Sequence, residues 1–369
     1  MAARLSPLSA PRDLTVPEPG STTARDVLSR AVGRLLRELR PLLRTHAASA
    51  PQDVATVDRA LGSLGPEGAG ALASILRRPH VGALVRTLRA MAPGHGGDVL
   101  TTLLATLALD LGHLEVLPEP VVLRRMPERV VSLVSRSVVH TPDGRVDRPF
   151  HPIDADTVLA LADANPLAMN EAHPDKQGNA IDLGGRPVDE WLSSLRAALD
   201  VVSTYLPDLR AEVRLYVQAI VPVGYFPDRH LSASYREAIG TLYLSLHPDP
   251  MTMVEAIVHE FQHNKLNALL ELDDILTNPP DATYASPVRP DPRPLHGVLL
   301  AVHAFVPVAH LYERMIDAGD VRARPDRWRE VLRVNREGLE VLRAHARPTL
   351  VGQGVMDELE RWDARFART

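Results

Sequence analysis

Apolar residues recur at three- and four-residue spacing through most of the chain up to Leu111, and this period predicts helix after helix. Leu28, Ala31, Leu35, Leu36 and Leu39 make one stripe; Val81, Leu84, Val85, Leu88 and Met91 make another. Pro51, Pro66, Pro79 and Pro93 punctuate the pattern at helix starts or ends. Ahead of it, residues 1–24 are rich in Pro, Ser and Thr and predict an extended lead-in. The pattern changes over 116–150. There the pairs Val121-Val122, Val130-Val131 and Val138-Val139, with the turn Pro142-Asp143-Gly144, predict strands and a hairpin. Residues 163–185 are polar and full of turn formers, so a long loop or lid is expected.

Beyond it, 187–206 reads as a helix with Trp191, Leu195, Leu199 and Val202 on one side. The run 213–223 is β-branched and apolar and 240–246 alternates, so both predict strands. A long helix is expected over 252–272, another from about Pro294 to Ala318, and a final pair between about Arg324 and Trp362. The sum is a predominantly helical α+β protein with a lead-in (1–24), a helical region (25–115) and an α+β region (116–369). The last two are expected to form one continuous compact unit, with a small sheet packed on the 252–272 helix in a zincin-like arrangement.

That helix carries the chemistry. His259-Glu260-Phe261-Gln262-His263 sets two imidazoles four residues apart, so they share a helix face and a single divalent ion can hold both. Glu260 stands about 100° round the helix, within reach of a metal-bound water. The chain has no cysteine, which excludes thiolate ligands, disulfides and thiol nucleophiles and leaves His, Asp and Glu for zinc, iron or manganese. A net charge of −5 without any Lys/Arg block argues against a nucleic-acid partner. The N-terminal residues hold no apolar core of signal-peptide length. The apolar runs are broken by charges or prolines before membrane-spanning length, so a soluble cytoplasmic protein without a membrane partner is expected.

Two histidines leave the metal short of the three protein ligands usual in a catalytic centre. His303, two turns into the helix after Pro294, is the favoured third ligand. His296, on the same face, comes second, and Asp291 in the preceding loop third. The run Arg289-Pro290-Asp291-Pro292-Arg293-Pro294 adds two arginines stiffened by prolines. A guanidinium held this way suits a dicarboxylate, and an open iron site beside such an arginine is the layout of a 2-oxoglutarate-dependent oxygenase. The HExxHxxGxxH pattern of one peptidase group is absent, since Asn264-Lys265-Leu266-Asn267 follows His263, and so is the Asn-Glu-x-x-Ala helix of another. The signal is strong for metal and weak for peptide hydrolysis.

Three runs, HEFQHNKLNALL from His259, RPDPRPLHGVLLAVHAF from Arg289 and HPDKQG from His173, resemble the HExxH-type peptide β-hydroxylases, as does SASYREAIGTLYLS from Ser232. These are iron(II)- and 2-oxoglutarate-dependent enzymes of ribosomally made, post-translationally modified peptides. The resemblance implies that His259 and His263 bind Fe(II), and that an arginine of the RPDPRP run, Arg293 or Arg289, holds 2-oxoglutarate. O2 is the oxidant, and the substrate is a ribosomally synthesised precursor peptide hydroxylated at a Cβ position. Glu260 then orients ligands. In the rival reading, a zinc peptidase, it is the general base. A third reading is a non-catalytic peptide-binding scaffold whose working part is the helical region. Tyr205, Tyr225, Ser232, Ser234, Tyr235 and Arg236 are candidate linings of a peptide groove, and the HPDK segment a candidate lid.

Overall fold

Five helices open the fold: α1 (Thr23–Thr45), α2 (Pro51–Gly62), α3 (Pro66–Leu76), α4 (Pro79–Ala90) and α5 (Gly97–His113). The computed structural model describes residues 10–166, 180–288 and 291–368. Short strands follow, β1 (Arg129–Ser132), β2 (Ser137–His140), β3 (Val146–Asp147), β4 (Phe150–Pro152) and β5 (Val158–Ala160). Next come α6 (Val188–Tyr205), α7 (Pro207–Tyr216), β6 (Ala219–Tyr225), β7 (Ser232–Ala233) and β8 (Thr241–Leu246). The chain then runs into α8 (Pro250–Leu270), the small pair β9 (Thr283–Tyr284) and β10 (Arg293–Pro294), and α9 (Leu295–Asp317), α10 (Pro325–His345) and α11 (Leu350–Phe366). This is a predominantly helical α+β fold.

The chain divides into two units that do not follow its linear order. A sheet unit holds Ser29–Ser193 and Val217–Pro248; an α8 unit holds the residues up to Leu28, Ser194–Tyr216 and everything from Asp249 onward. In the sheet unit, Leu35, Leu39 and Leu43 of α1 pack with Leu61, Ile75, Leu88 and Leu104, which realises the predicted stripes. Pro51, Pro66 and Pro79 each occupy the first turn of their helix, where a missing N–H costs nothing. The main sheet has the order β4-β5-β6-β8-β7, with β5, β6 and β8 parallel and both edges antiparallel. Its strand β8 is buried at every position. A second sheet, β1-β2-β3, turns through the predicted Pro142–Gly144 corner, with Gly144 at φ 70°.

The strand expected over 213–223 begins later. Leu209, Val213 and Tyr216 recur at four and three residues and bury one face of α7, so helical spacing outweighs β-branching there, and extended structure starts only at Ala219. Val121 and Val122 form no strand.

In the α8 unit, residues 10–22 form neither helix nor strand, yet Leu14 and Val16 are buried. Glu358 of α11 accepts the backbone N–H of Leu14 (2.9 Å), Thr15 (2.8 Å) and Val16 (3.2 Å). Part of the predicted lead-in is thus a strap tied into the core. Helix α9 is long and apolar enough to cross a membrane by length and composition, but most of it is buried inside the fold as a core helix. The apolar run from Leu295 to Tyr312 is therefore broken by a proline, Pro307, but not by charge.

Candidate metal centre

Asp249 starts α8. Its carboxylate accepts the Met251 N–H (3.0 Å) and the Thr252 hydroxyl (3.1 Å), Pro250 takes the first turn, and Arg324 pairs with it at 2.7 Å. Met253, Val254, Ile257, Val258, Phe261 and Leu266 are fully buried, so the helix is a core element with apolar packing on most sides. A helix fixed this way holds its side chains more firmly than a loop would.

On it, the ligand atoms of His259, Glu260 and His263 all lie within 4.8 Å of one another, close enough for one ion to draw together. The two imidazoles meet edge to face with ring centres 4.5 Å apart, and Phe305 of α9 packs on His259 at 4.7 Å. Glu260 is only 3% exposed. Burial, reinforced by the neighbouring His263 charge, pushes His259 down to about 4, so its ring is neutral at pH 7. Neutral imidazole is the form that binds metal.

One turn before His259 stands Glu255, and it is tightly held. The Tyr312 hydroxyl donates to it at 2.6 Å, and Arg327 donates through Nε (3.1 Å to each oxygen) and Nη2 (2.7 Å). Tyr312 lies on α9 and Arg327 on α10, so this carboxylate fixes three helices around the histidine pair. The repeat Glu255-x-x-x-His259 marks it on one helix face, which the sequence reading passed over.

His303 is fully buried on α9, and neither ring nitrogen has a hydrogen-bond partner among the described residues. Burial lowers it well below the usual histidine range, helped by the nearby charges of Lys265 and His263. It lies outside the 4.8 Å group. Beside it, Lys265 is 0% exposed; its ammonium pairs with Glu212 (2.7 Å) and donates to the Thr15 carbonyl (3.2 Å), which Gln262 also reaches (2.9 Å). Lys176 and Lys265 are the only lysines in the sequence. That rarity, in a chain that otherwise uses arginine, is the signal that Lys265 has a special place.

Arg293 begins α9's lead-in on β10, partly buried, with its Nε 2.9 Å from the exposed Asp291 carboxylate. Asp291 thus faces an arginine and is not drawn into the histidine group. His296 is half-buried at the start of α9. Arg289 and the HPDKQG run lie outside the described residues. The candidate groove residues fall in both units. Tyr205 belongs to the α8 unit, where it donates to Asp320 (2.6 Å). The others belong to the sheet unit, where Tyr235 is a core residue stacked edge-on against Tyr243.

Neither a protein-family model nor a curated protein sequence matches this chain.

Proposed function

We propose that the protein is an iron(II)- and 2-oxoglutarate-dependent oxygenase of the cytoplasm that hydroxylates a Cβ position of a ribosomally synthesised precursor peptide. The observation that carries it is the convergence of His259, Glu260 and His263 on a rigid, buried helix, with His259 held neutral. The donor set fits a divalent metal: it is nitrogen and oxygen, and it leaves coordination positions open. The choice of iron and 2-oxoglutarate over zinc rests on the sequence resemblance and on the arginine ahead of α9.

His259 and His263 would hold the metal, with Phe305 fixing the His259 ring and keeping water from that side. The Glu255–Tyr312–Arg327 cluster holds the helix backbone in place one turn away. Once bound, the iron supplies the redox chemistry that couples 2-oxoglutarate decarboxylation to C–H oxidation. Arg293 would exchange its contact with Asp291 for the far carboxylate of 2-oxoglutarate, a bidentate pairing that a guanidinium favours. Asp291 keeps that guanidinium oriented until then. His303 is the favoured third ligand because its buried ring nitrogens lack partners among the described residues, a state that costs about 1–3 kcal/mol. Its ring must shift toward the pair to join them, since it stands outside their group.

One observation favours a second reading. Glu260 belongs to the ligand group itself, where a zinc hydrolase would use it as general base. The deciding experiment is succinate formation from 2-oxoglutarate by anaerobically prepared protein given Fe(II), ascorbate and air, with and without candidate peptides. Succinate above the His259→Ala background, with a one-oxygen mass gain on a peptide, is the expected result. Zinc- and Glu260-dependent peptide cleavage without succinate would establish the hydrolase instead.

A further inference from the structure

The sheet unit carries a cavity of its own, of about 560 Å³, between the first turns of α5 and the segment around β1. Its volume lies in the range that takes a ligand or several side chains. Leu84, Val99 and Val131 give it an apolar floor, and Met126, half exposed, stands on the rim beside Pro127. An unbranched thioether at a rim is an adaptable surface for peptide side chains.

The charge around this floor is one-sided. Asp98, Glu128 and Asp163 line the cavity against a single cation, Arg129. No cation among the described residues lies within ion-pair distance of these three carboxylates, although acids elsewhere in the unit are paired, as Asp58 is with Arg40 and Arg44. Arg129 is turned to the Asp163 carbonyl (3.3 Å) and not to its carboxylate. Asp163 is the most telling of the three. Its oxygens accept from the Tyr243 hydroxyl (2.6 Å) and from the Asn165 (2.9 Å) and Ala164 N–H groups, and the Arg129 charge acts on it without a direct ion pair. Burial raises it above its ordinary value in spite of those bonds and of the Arg129 charge. A positive group entering the cavity would relieve that cost.

We propose that this groove docks an amphipathic peptide segment, with a lysine or arginine reaching Asp163 and apolar neighbours lying on Leu84, Val99 and Val131. Acids set apart on an apolar floor match a chain in which charged and apolar side chains alternate. The site does not depend on the chemistry proposed at His259 and His263.

The test measures fluorescence anisotropy of a labelled nonapeptide of alternating leucine and lysine, and of its glutamate counterpart, against the full-length protein. It is run without metal or 2-oxoglutarate, so it stands or falls separately from the oxygenase reading. The lysine peptide should bind at least about tenfold more tightly, lose affinity as salt rises, and outcompete spermidine. Asp98→Lys with Glu128→Lys should weaken it about tenfold or more, and Met126→Glu, at an exposed position, should weaken it by the loss of apolar contact. Equal binding of the two peptides, an unchanged double variant with an intact melting curve, or displacement by spermidine at equal concentration would each overturn the proposal.

Discussion

Two sets of buried polar groups flank α8, and they have been treated differently by the fold. Around Lys265 the charges are matched: its ammonium has Glu212 and the Thr15 carbonyl, and Glu358 takes three backbone N–H groups of the strap. His303, equally buried, has no hydrogen-bond partner on either nitrogen among the described residues. Folded proteins satisfy nearly all their buried polar atoms, so a matched set of charges reads as architecture and an imidazole without partners as a group kept for something else. The first set locks the strap onto the helix; the second lies close to His263.

The two sets should therefore respond oppositely to removal. Lys265→Met strands the Glu212 carboxylate and should cost about 3–5 kcal/mol in denaturant unfolding, and adding Glu212→Leu should return most of it. A full loss retained in the double variant would contradict the pairing account. Glu358 offers a pH test of the same network. Burial pushes it up to about 7 from an ordinary 4.5. A raised acid contributes stability that is fully present below about pH 4.5 and lost as pH rises through about 7, on the order of 3 kcal/mol. The wild-type melting temperature should therefore fall between pH 5 and pH 8 more steeply than that of Glu358→Gln, and parallel profiles would remove Glu358 from the network.

Arg293 stands between the two classes, paired with Asp291 but partly open to solvent. Arg293→Ala should raise the KM for 2-oxoglutarate roughly tenfold or more while leaving metal content intact, as expected for the loss of one charged hydrogen-bonded contact of about 1.5–3 kcal/mol. The smallest effect is the sharpest. His303→Leu replaces an orphaned imidazole with an apolar side chain, so the metal-free protein should change stability by no more than about 1 kcal/mol, in either direction. The same variant should bind metal at least about tenfold more weakly, read by competition with a chelator; a large destabilisation with unchanged metal affinity would make His303 a core residue.

Much of this centre was legible because its signal is local. The four-residue spacing of His259 and His263 fixes a shared helix face wherever the helix lies, and the apolar period of 252–272 makes it a helix. The helices of the N-terminal half were legible for the same reason, with prolines marking their starts. What escaped depends on partners distant in sequence. Nothing near Lys265 announces Glu212, and nothing near Leu14 announces Glu358. Glu255 was within reach as a same-face neighbour of His259, but its partners Tyr312 and Arg327 lie 57 and 72 residues away. The strand misplaced over 213–223 shows the reverse error: Val213 is β-branched yet stands at helical spacing with Leu209 and Tyr216, so the local pattern was ambiguous and packing decided.

The reading of α8 as a metal site built on His259 and His263 makes a direct prediction. Its most direct test is the metal content of anaerobically Fe(II)-loaded protein after desalting, for the wild type and for His259→Ala and His263→Ala. About one equivalent is expected in the wild type and almost none in either variant, with both variants folded. Retention of a full equivalent by both variants, or none in the wild type, would contradict it.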